Sequence, residues 1–268
     1  MFHLLWFIML HQQIIGIVGG LGPAAGADLF QKIIAETIAE RDQDHLSVAL
    51  LSYADQIPDR ASWINDHTKP NPVPPLMEVI RLLHYAGAQV AAIPCVTAHV
   101  PVLFGAIQAQ IQAEGLRVRL LSMVEETVRM IQTAYPHIRS VGAISTWTTF
   151  RNRMFMKPLE TAGYNVILQD DAIQDGVECA IYDTCMGIKA QSEPVHPEAR
   201  GLLVDAIRHL RGKGAEAVIL GCTELPIGIP EAELEGVITI DPTRAIARAL
   251  IREIAPEKLR PIHVASGV

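Results

Sequence analysis

A segment that occurs twice constrains the fold of this chain more than any other feature. Residues 87–97 read GAQVAAIPCVT and residues 214–224 read GAEAVILGCTE, so each copy opens with Gly-Ala and carries a cysteine eight residues after its glycine. The two cysteines, Cys95 and Cys222, are 127 residues apart, and a second similar pair, IGIV at residue 15 and VGAI at residue 141, is 126 residues apart. Because both pairs repeat with nearly the same offset, we predict an internal duplication that gives two lobes of similar structure.

Short apolar runs alternate with amphipathic stretches along the chain, a pattern typical of βα units on a parallel sheet. The predicted strands are residues 14–18, 47–53, 90–93 and 117–121 in the first half and 140–144, 164–168, 217–220 and 237–240 in the second. The first predicted helix runs from the Gly-rich turn after the first strand to about residue 40, and a second follows the proline-rich loop at residues 70–75 and ends near residue 85. Further helices are predicted over residues 123–133, 151–161, 199–211 and 243–254.

The fold class that this order predicts is α/β, with two similar parallel-sheet α/β lobes related by a pseudo-two-fold axis and an active site in the cleft between them. The first lobe is predicted to comprise residues 1–121 together with the returning C-terminal residues 242–268, and the second residues 122–241. Each repeated cysteine follows a predicted strand directly. Open α/β sheets bind ligands at the carboxyl ends of their strands, so the two cysteines mark the expected site.

Charge and cysteine content exclude several classes of protein. The chain has 22 Lys and Arg against 29 Asp and Glu, a net charge of −7, and so lacks the basic surface that nucleic-acid binding requires. Four cysteines without a C-x-x-C pair argue against a disulfide framework, a zinc ribbon and a thioredoxin-type redox pair. We therefore expect no metal site, and the free thiols predict a reducing, cytoplasmic location.

The apolar run at residues 4–10 is interpreted as an extension rather than a signal peptide. No Lys or Arg precedes Lys32, so the basic region of a signal peptide is absent. Polar residues at 11–13 end the run well short of the roughly 20 residues of a membrane span. We predict that this extension packs on the body of the protein or on a partner subunit, and we expect no membrane partner.

Two similar acid–base groups on either side of one small molecule suit removal of a proton from one face of a carbon and delivery of a proton to the other. A thiol has a pKa near 8.5, close to working pH, and a helix N-terminus lowers it. The alternative is that Cys95 and Cys222 are buried, inert residues of apolar strands. Their equivalent positions in the repeat favour the catalytic interpretation.

Three motifs carry a resemblance to a known family: IGIVGGLGP at residues 15–23, PCVTAH at residues 94–99 and GCTEL at residues 221–225. Their sequences, order and spacing resemble those of the aspartate/glutamate racemase family, over nearly the whole chain. The resemblance implies a two-lobed, commonly homodimeric enzyme that racemises a small acidic amino acid without pyridoxal phosphate or any other cofactor. It also implies that Cys95 and Cys222 are the thiolate and thiol that exchange the α-proton.

The same resemblance suggests how the substrate is held. Arg60, in the stretch Pro-Asp-Arg, and Lys189 match the two cations that hold the side-chain carboxylate in aspartate-preferring members. A guanidinium fork and an ammonium are both suited to a carboxylate, although most Arg and Lys side chains are simply solvated. Backbone N–H groups of Gly20, Leu21 and Gly22 are predicted to face the α-carboxylate. The hydroxyls of Thr97 and Thr223 are candidates for the same role.

The chain departs from the family pattern at two places. Val96 follows the first cysteine where the family has Asn, and Thr148-Thr149 replaces the usual Gly-Thr after the fifth strand. Glu224 and His99 each stand near a cysteine, where they could tune its protonation or serve only as a helix cap and a core residue. Cys179 and Cys185 lie outside the repeat and are interpreted as structural.

Three functions remain open at this point. The leading hypothesis is an amino-acid racemase whose substrate is aspartate, with glutamate as the alternative substrate. The second is an isomerase or decarboxylase of small dicarboxylates in the same superfamily. The third is a non-catalytic amino-acid-binding protein, which two matched thiols make harder to explain.

Overall fold

The computed structural model describes residues 13–262, and the contacts among them divide the chain into two units. The first unit comprises residues 13–94, Pro101–Ser122 and Ile246–Pro261. The second comprises Cys95–Val100 and Met123–Ala245, together with residue 262. The boundaries expected from the sequence assign residues 95–100 to the first lobe, whereas in the structure these residues make their contacts with the second unit.

The first unit is built on a parallel sheet. Its strands are β1 (Ile14–Gly19), β2 (Ser47–Ser52), β3 (Ala88–Ala92) and β4 (Arg119–Leu120). They lie in the order β2-β1-β3-β4, and every neighbouring pair is parallel. All residues of β1 after Ile14 are buried, as expected of an apolar strand that is covered on both faces.

Four helices accompany this sheet: α1 (Pro23–Glu36), α2 (Arg60–Asn65), α3 (Val73–Tyr85) and α4 (Pro101–Ala113). The expected end of α1 near residue 40 is wrong, because Thr37 takes an extended conformation and pairs with Leu259. The hydroxyl of Thr37 also donates to the Ile33 carbonyl at 2.6 Å, which closes the last turn of the helix. The sequence patterns did not predict α2 or α4.

The second unit is built on a sheet of five strands: β5 (Ser140–Ile144), β6 (Asn165–Ile167), β7 (Ala217–Leu220), β8 (Glu233–Leu234) and β9 (Val237–Ile240). They lie in the order β6-β5-β7-β9-β8, parallel except for β8, which runs antiparallel to β9. Without β8, this order repeats that of the first sheet, with β7 in the place of β3. The strands that precede the two cysteines therefore hold equivalent positions, and the predicted α/β class with parallel sheets is confirmed.

The helices that follow in the chain are α5 (Met123–Ala134), α6 (Trp147–Arg151), α7 (Met156–Thr161), α8 (Asp171–Tyr182), α9 (Pro197–Gly212), α10 (Leu225–Gly228) and α11 (Pro242–Ile254). The single helix expected over residues 151–161 is wrong, because the helical conformation is interrupted between α6 and α7, where Arg153 has a φ of 52°. Leu203 and Ile207 of α9 are fully buried in a cluster that includes Val218 of β7. This packing holds the strand that leads to Cys222.

Between residues 13 and 262, no helix is long and apolar enough to cross a membrane. The apolar extension predicted at residues 4–10 lies outside the described residues.

Candidate active site

A carboxylate lies directly beside the second repeated cysteine. Cys222 follows β7 by two residues, is only 8% exposed, and donates its S–H to Oε2 of Glu224 at an Sγ–O distance of 2.9 Å. The hydroxyl of Thr223 donates to the same oxygen at 3.4 Å. Glu224 is 4% exposed, so its charge requires a cation as well as these hydrogen bonds.

Lys189 supplies that cation. Its ammonium forms an ion pair with Oε1 of Glu224, the oxygen that Cys222 does not use. The ring of Tyr182 lies 5.5 Å from the Lys189 nitrogen, within the range of a cation–π interaction. One carboxylate thus bridges the cation and the thiol.

The chain folds back at the end of α8 to place Lys189. The backbone N–H groups of Ile188 and Lys189 donate to the carbonyls of Ala180 and Ile181 at 2.9 and 3.2 Å. Gly187 allows this close return, because a Cβ at that position would lie 2.5 Å from the Asp183 carbonyl oxygen. A larger residue would have to move the segment that carries the lysine.

Burial and charge act together on the ionisable groups of this cluster. Burial raises the pKa of the Cys222 thiol well above its usual range, the charge of Glu224 adds to the rise, and Lys189 opposes it. Burial alone would lower the pKa of Lys189, but its acidic neighbours, Glu224 first and then Cys222 and Cys95, make the net direction upward.

The loop of Cys95 is held by different contacts. Cys95 is 6% exposed and precedes a short 3₁₀ helix, Val96–His99. The backbone N–H of Met123 donates to Nε2 of His99 at 3.2 Å, so this nitrogen must be unprotonated. Nδ1 of His99 therefore carries the hydrogen and donates it to the Cys95 carbonyl at 2.9 Å. Neutral His99 therefore connects the Cys95 loop to the start of α5 through one hydrogen bond on each ring nitrogen.

Buried hydroxyls follow β5, the neighbour of β7. Ser145, Thr146, Thr148 and Thr149 are 2–7% exposed. Thr146 caps α6 by accepting a hydrogen bond from the Thr149 backbone at 3.3 Å. Glu178 accepts from the Trp147 backbone at 2.9 Å, and burial raises the pKa of this carboxyl although that hydrogen bond acts in the opposite direction. The segment after β5 is therefore a capped helix start with buried hydroxyls.

Four of the predicted substrate-binding residues lie in the first unit: Gly20, Leu21, Gly22 and Arg60. Nη2 of Arg60 donates to the Leu21 carbonyl at 3.0 Å, so the structure brings this cation to the Gly-rich loop. Asp59 caps α2 by accepting from the Ser62 backbone at 2.7 Å, which fixes the turn from which Arg60 projects. Gly20 has a φ of +95° and its Cβ position lies 2.8 Å from the Ala54 nitrogen, so this turn requires glycine.

The remaining predicted residues, Thr97, Lys189 and Thr223, lie in the second unit with both repeated cysteines. Cys179 is half-buried on α8 and Cys185 is exposed beyond it, and all four thiols are free. Within residues 13–262, no group of three His, Cys, Asp or Glu side chains could hold a metal ion. The sequence patterns identified Glu224 and Lys189 separately, but they did not predict the ion pair between them.

Comparison with known proteins identifies the class. The sequence matches the Asp/Glu/hydantoin racemase family over residues 18–250. An aspartate racemase from Picrophilus torridus is 25% identical, with a TM-score of 0.74 over 90% of this chain and 94% of that one. An aspartate racemase homologue from Pyrococcus horikoshii is 22% identical, with a TM-score of 0.69 over 91% of this chain and 99% of that one.

The same fold also occurs in a protein of a different activity. A mutant of arylmalonate decarboxylase is 17% identical, with a TM-score of 0.53 over 93% of this chain and 97% of that one. This likeness concerns the fold alone.

The chain belongs to the Asp/Glu/hydantoin racemase family, because the match extends over most of its length. The resemblance noted in the three sequence motifs is thereby confirmed. The prediction of an amino-acid racemase is confirmed at the level of the enzyme class.

Proposed function

We propose that this protein interconverts L- and D-aspartate without pyridoxal phosphate, with Cys95 and Cys222 as its two acid–base groups. The observation that carries the proposal is that Cys95 and Cys222 are both buried and follow strands that hold equivalent positions in two similar parallel sheets. The family assignment and the 25% identity to an aspartate racemase support it independently.

Each turnover requires one thiolate and one thiol. The thiolate takes the α-hydrogen as a proton and leaves the electron pair on the α-carbon. The opposite thiol then gives its proton to the other face of that carbon. Configuration is inverted, the two sulfurs have exchanged protonation states, and no electron is gained or lost.

The α-proton of an amino acid is weakly acidic, so the carbanion must be stabilised where it forms. Preorganised charges and donors in a site that excludes water are the strongest available means. Lys189 supplies a positive charge, and Thr223, whose hydroxyl donates to Glu224 in the substrate-free protein, is proposed as a donor to the substrate. Thr97 lies two residues after Cys95 and is proposed to act in the same way.

The side-chain carboxylate selects the substrate. By the family resemblance, Lys189 and Arg60 hold that carboxylate, and the backbone N–H groups of Gly20, Leu21 and Gly22, at the start of α1, are proposed to face the α-carboxylate. An ammonium and a guanidinium both favour a dicarboxylic substrate over a neutral amino acid. The resemblance also supports a homodimer, which light scattering of the purified protein would test.

A chiral assay tests the proposed activity. Purified protein is incubated with L-aspartate and, separately, L-glutamate without added cofactor, and circular dichroism follows the loss of optical activity. We expect the aspartate signal to decay to zero, and the Cys95→Ala/Cys222→Ala double variant to leave it unchanged. Equal decay with the double variant, or binding of aspartate without optical change, would contradict the proposal.

The same preparation separates the decarboxylase alternative. Decarboxylation needs only one thiol to protonate the product carbanion, so it does not explain a buried cysteine after each of the two equivalent strands. Release of CO₂ from a substituted malonate, without racemisation of aspartate, would favour the decarboxylase.

A further inference from the structure

The carboxylate of Glu224 forms a hydrogen bond with Cys222, and the position equivalent to Glu224 beside Cys95 holds no carboxylate. Glu224 accepts the S–H of Cys222 on Oε2 and holds the Lys189 ammonium on Oε1. In the first repeat the equivalent position, two residues after Cys95, is Thr97, which carries no charge. The repeat is therefore symmetric in its strands and asymmetric in charge beside its thiols.

We propose that Glu224 keeps the resting proton of the cysteine pair on Cys222, so that Cys222 is the proton donor and Cys95 the proton acceptor when substrate first binds. This inference rests on the proposed function for its catalytic meaning. The location of the resting proton, however, is a property of the substrate-free protein and is measurable without substrate.

The contacts explain why the proton stays there. A thiolate at Cys222 would lie 2.9 Å from a carboxylate oxygen that is itself 4% exposed, and two like charges at that distance in a buried site repel strongly. As a thiol, Cys222 instead donates a hydrogen bond to that oxygen. Lys189 acts in the opposite direction, but its ammonium is already paired with Glu224. Among the described residues, Glu224 and Lys189 are the charged groups that act on Cys222.

The proton balance closes over a cycle. Cys95 takes the α-proton and Cys222 releases its own, which leaves a thiol at Cys95 and a thiolate beside Glu224. The resting state is restored when one proton passes from Cys95 to Cys222 through water. Glu224 touches no reacting carbon in this scheme and acts by positioning the proton.

Alkylation of each thiol as a function of pH tests the proposal. Full-length protein without substrate is treated with iodoacetamide between pH 6 and pH 11, about two units either side of an ordinary thiol pKa, and peptide mass spectrometry measures the modification rate of each cysteine. We expect Glu224→Gln to move the Cys222 midpoint downward by about one unit or more. Lys189→Met should move it upward, and Glu224→Asp should restore most of the wild-type value.

A matched control excludes a general effect of removing a carboxylate. Glu160 is an exposed carboxylate that pairs with Arg153 at 2.6 Å, so Glu160→Gln makes the same chemical change away from the cysteines. This variant should leave the Cys222 midpoint unchanged. A thermal melt of each variant verifies that it is folded.

The kinetic counterpart is the alkaline side of the pH–rate profile, where the donor loses its proton. In Glu224→Gln this side should move to lower pH by the same amount as the alkylation midpoint. An unchanged or raised Cys222 midpoint in Glu224→Gln, or a lowered one in Lys189→Met, would overturn the inference. A shifted midpoint in a protein that fails to racemise aspartate would instead overturn the proposed function.

Discussion

The loops of the two repeated cysteines begin alike and end differently. Both follow equivalent strands of similar parallel sheets, and both thiols are less than 10% exposed. The Cys95 loop is held through its backbone, by a neutral His99. The Cys222 loop is held through side chains, because the Glu224 carboxylate accepts hydrogen bonds from both the Cys222 thiol and the Lys189 ammonium. The two loops therefore share a similar frame, while the charged side chains beside their thiols differ.

The largest effect is expected from Gly187→Ala, which disturbs the segment that carries Lys189. The added Cβ would lie 2.5 Å from the Asp183 carbonyl, so the segment must shift and carry Lys189 with it. A displacement of about 1 Å near reacting groups can cost about 100-fold in rate, and we expect a loss of this order in kcat/KM for aspartate. Gly201→Ala is the control, because nothing lies within 4 Å of its Cβ position. Equal losses of kcat/KM in the two variants would mean that the position of Lys189 does not control the rate.

Thr97→Glu tests whether charge alone distinguishes the loops. The substitution places a carboxylate at the position equivalent to Glu224, and a like charge nearby disfavours a thiolate at Cys95 by one or more pKa units. We expect the alkylation midpoint of Cys95 to rise and kcat to fall by about tenfold at neutral pH. Thr97→Gln has the same length without the charge, so it should change the Cys95 midpoint much less, and its kcat shows separately the cost of losing the Thr97 hydroxyl. An unaltered Cys95 midpoint in Thr97→Glu would mean that charge does not set the difference.

The sheets were predictable because most of their strands are short apolar runs, and the two cysteines were predictable because each lies in a repeated segment that starts with Gly-Ala. The helix Pro101–Ala113 was missed because Gly105 and an exposed Val102 interrupt the separation of apolar and polar faces. The Glu224–Lys189 ion pair joins residues 35 positions apart, on either side of α9. A local pattern cannot predict such a contact, because it depends on how α8 and α9 pack.

His99→Ala should destabilise the Cys95 loop by a smaller amount. Two hydrogen bonds are lost, and the buried Met123 N–H is left without its acceptor, so the free energy of unfolding should fall by about 1–3 kcal/mol. His99→Asn can keep the donor to Cys95, and His99→Gln can keep the acceptor for Met123. Chemical denaturation of the three variants measures the cost of each bond. If all three variants had the wild-type free energy of unfolding, the hydrogen bonds of His99 would not stabilise the Cys95 loop.

The Cys222 loop should also make stability depend on pH. The pKa of this thiol is raised in the folded state, so the folded protein retains a proton that the unfolded chain loses above about pH 8.5. Stability should therefore fall as pH rises past this value, by at most about 1.4 kcal/mol per pH unit. Cys222→Ser should flatten this slope, whereas Cys185→Ser, at an exposed thiol, should leave it unchanged.

The most direct test of the two-thiol account is hydrogen exchange in single variants. Cys95→Ala and Cys222→Ala are each incubated with L-aspartate or D-aspartate in D₂O, and proton NMR follows the α-hydrogen. The account predicts that neither variant racemises, and that each exchanges the α-hydrogen of one enantiomer only, opposite for the two variants. Normal racemisation by either variant, or exchange of the same enantiomer by both, would contradict it.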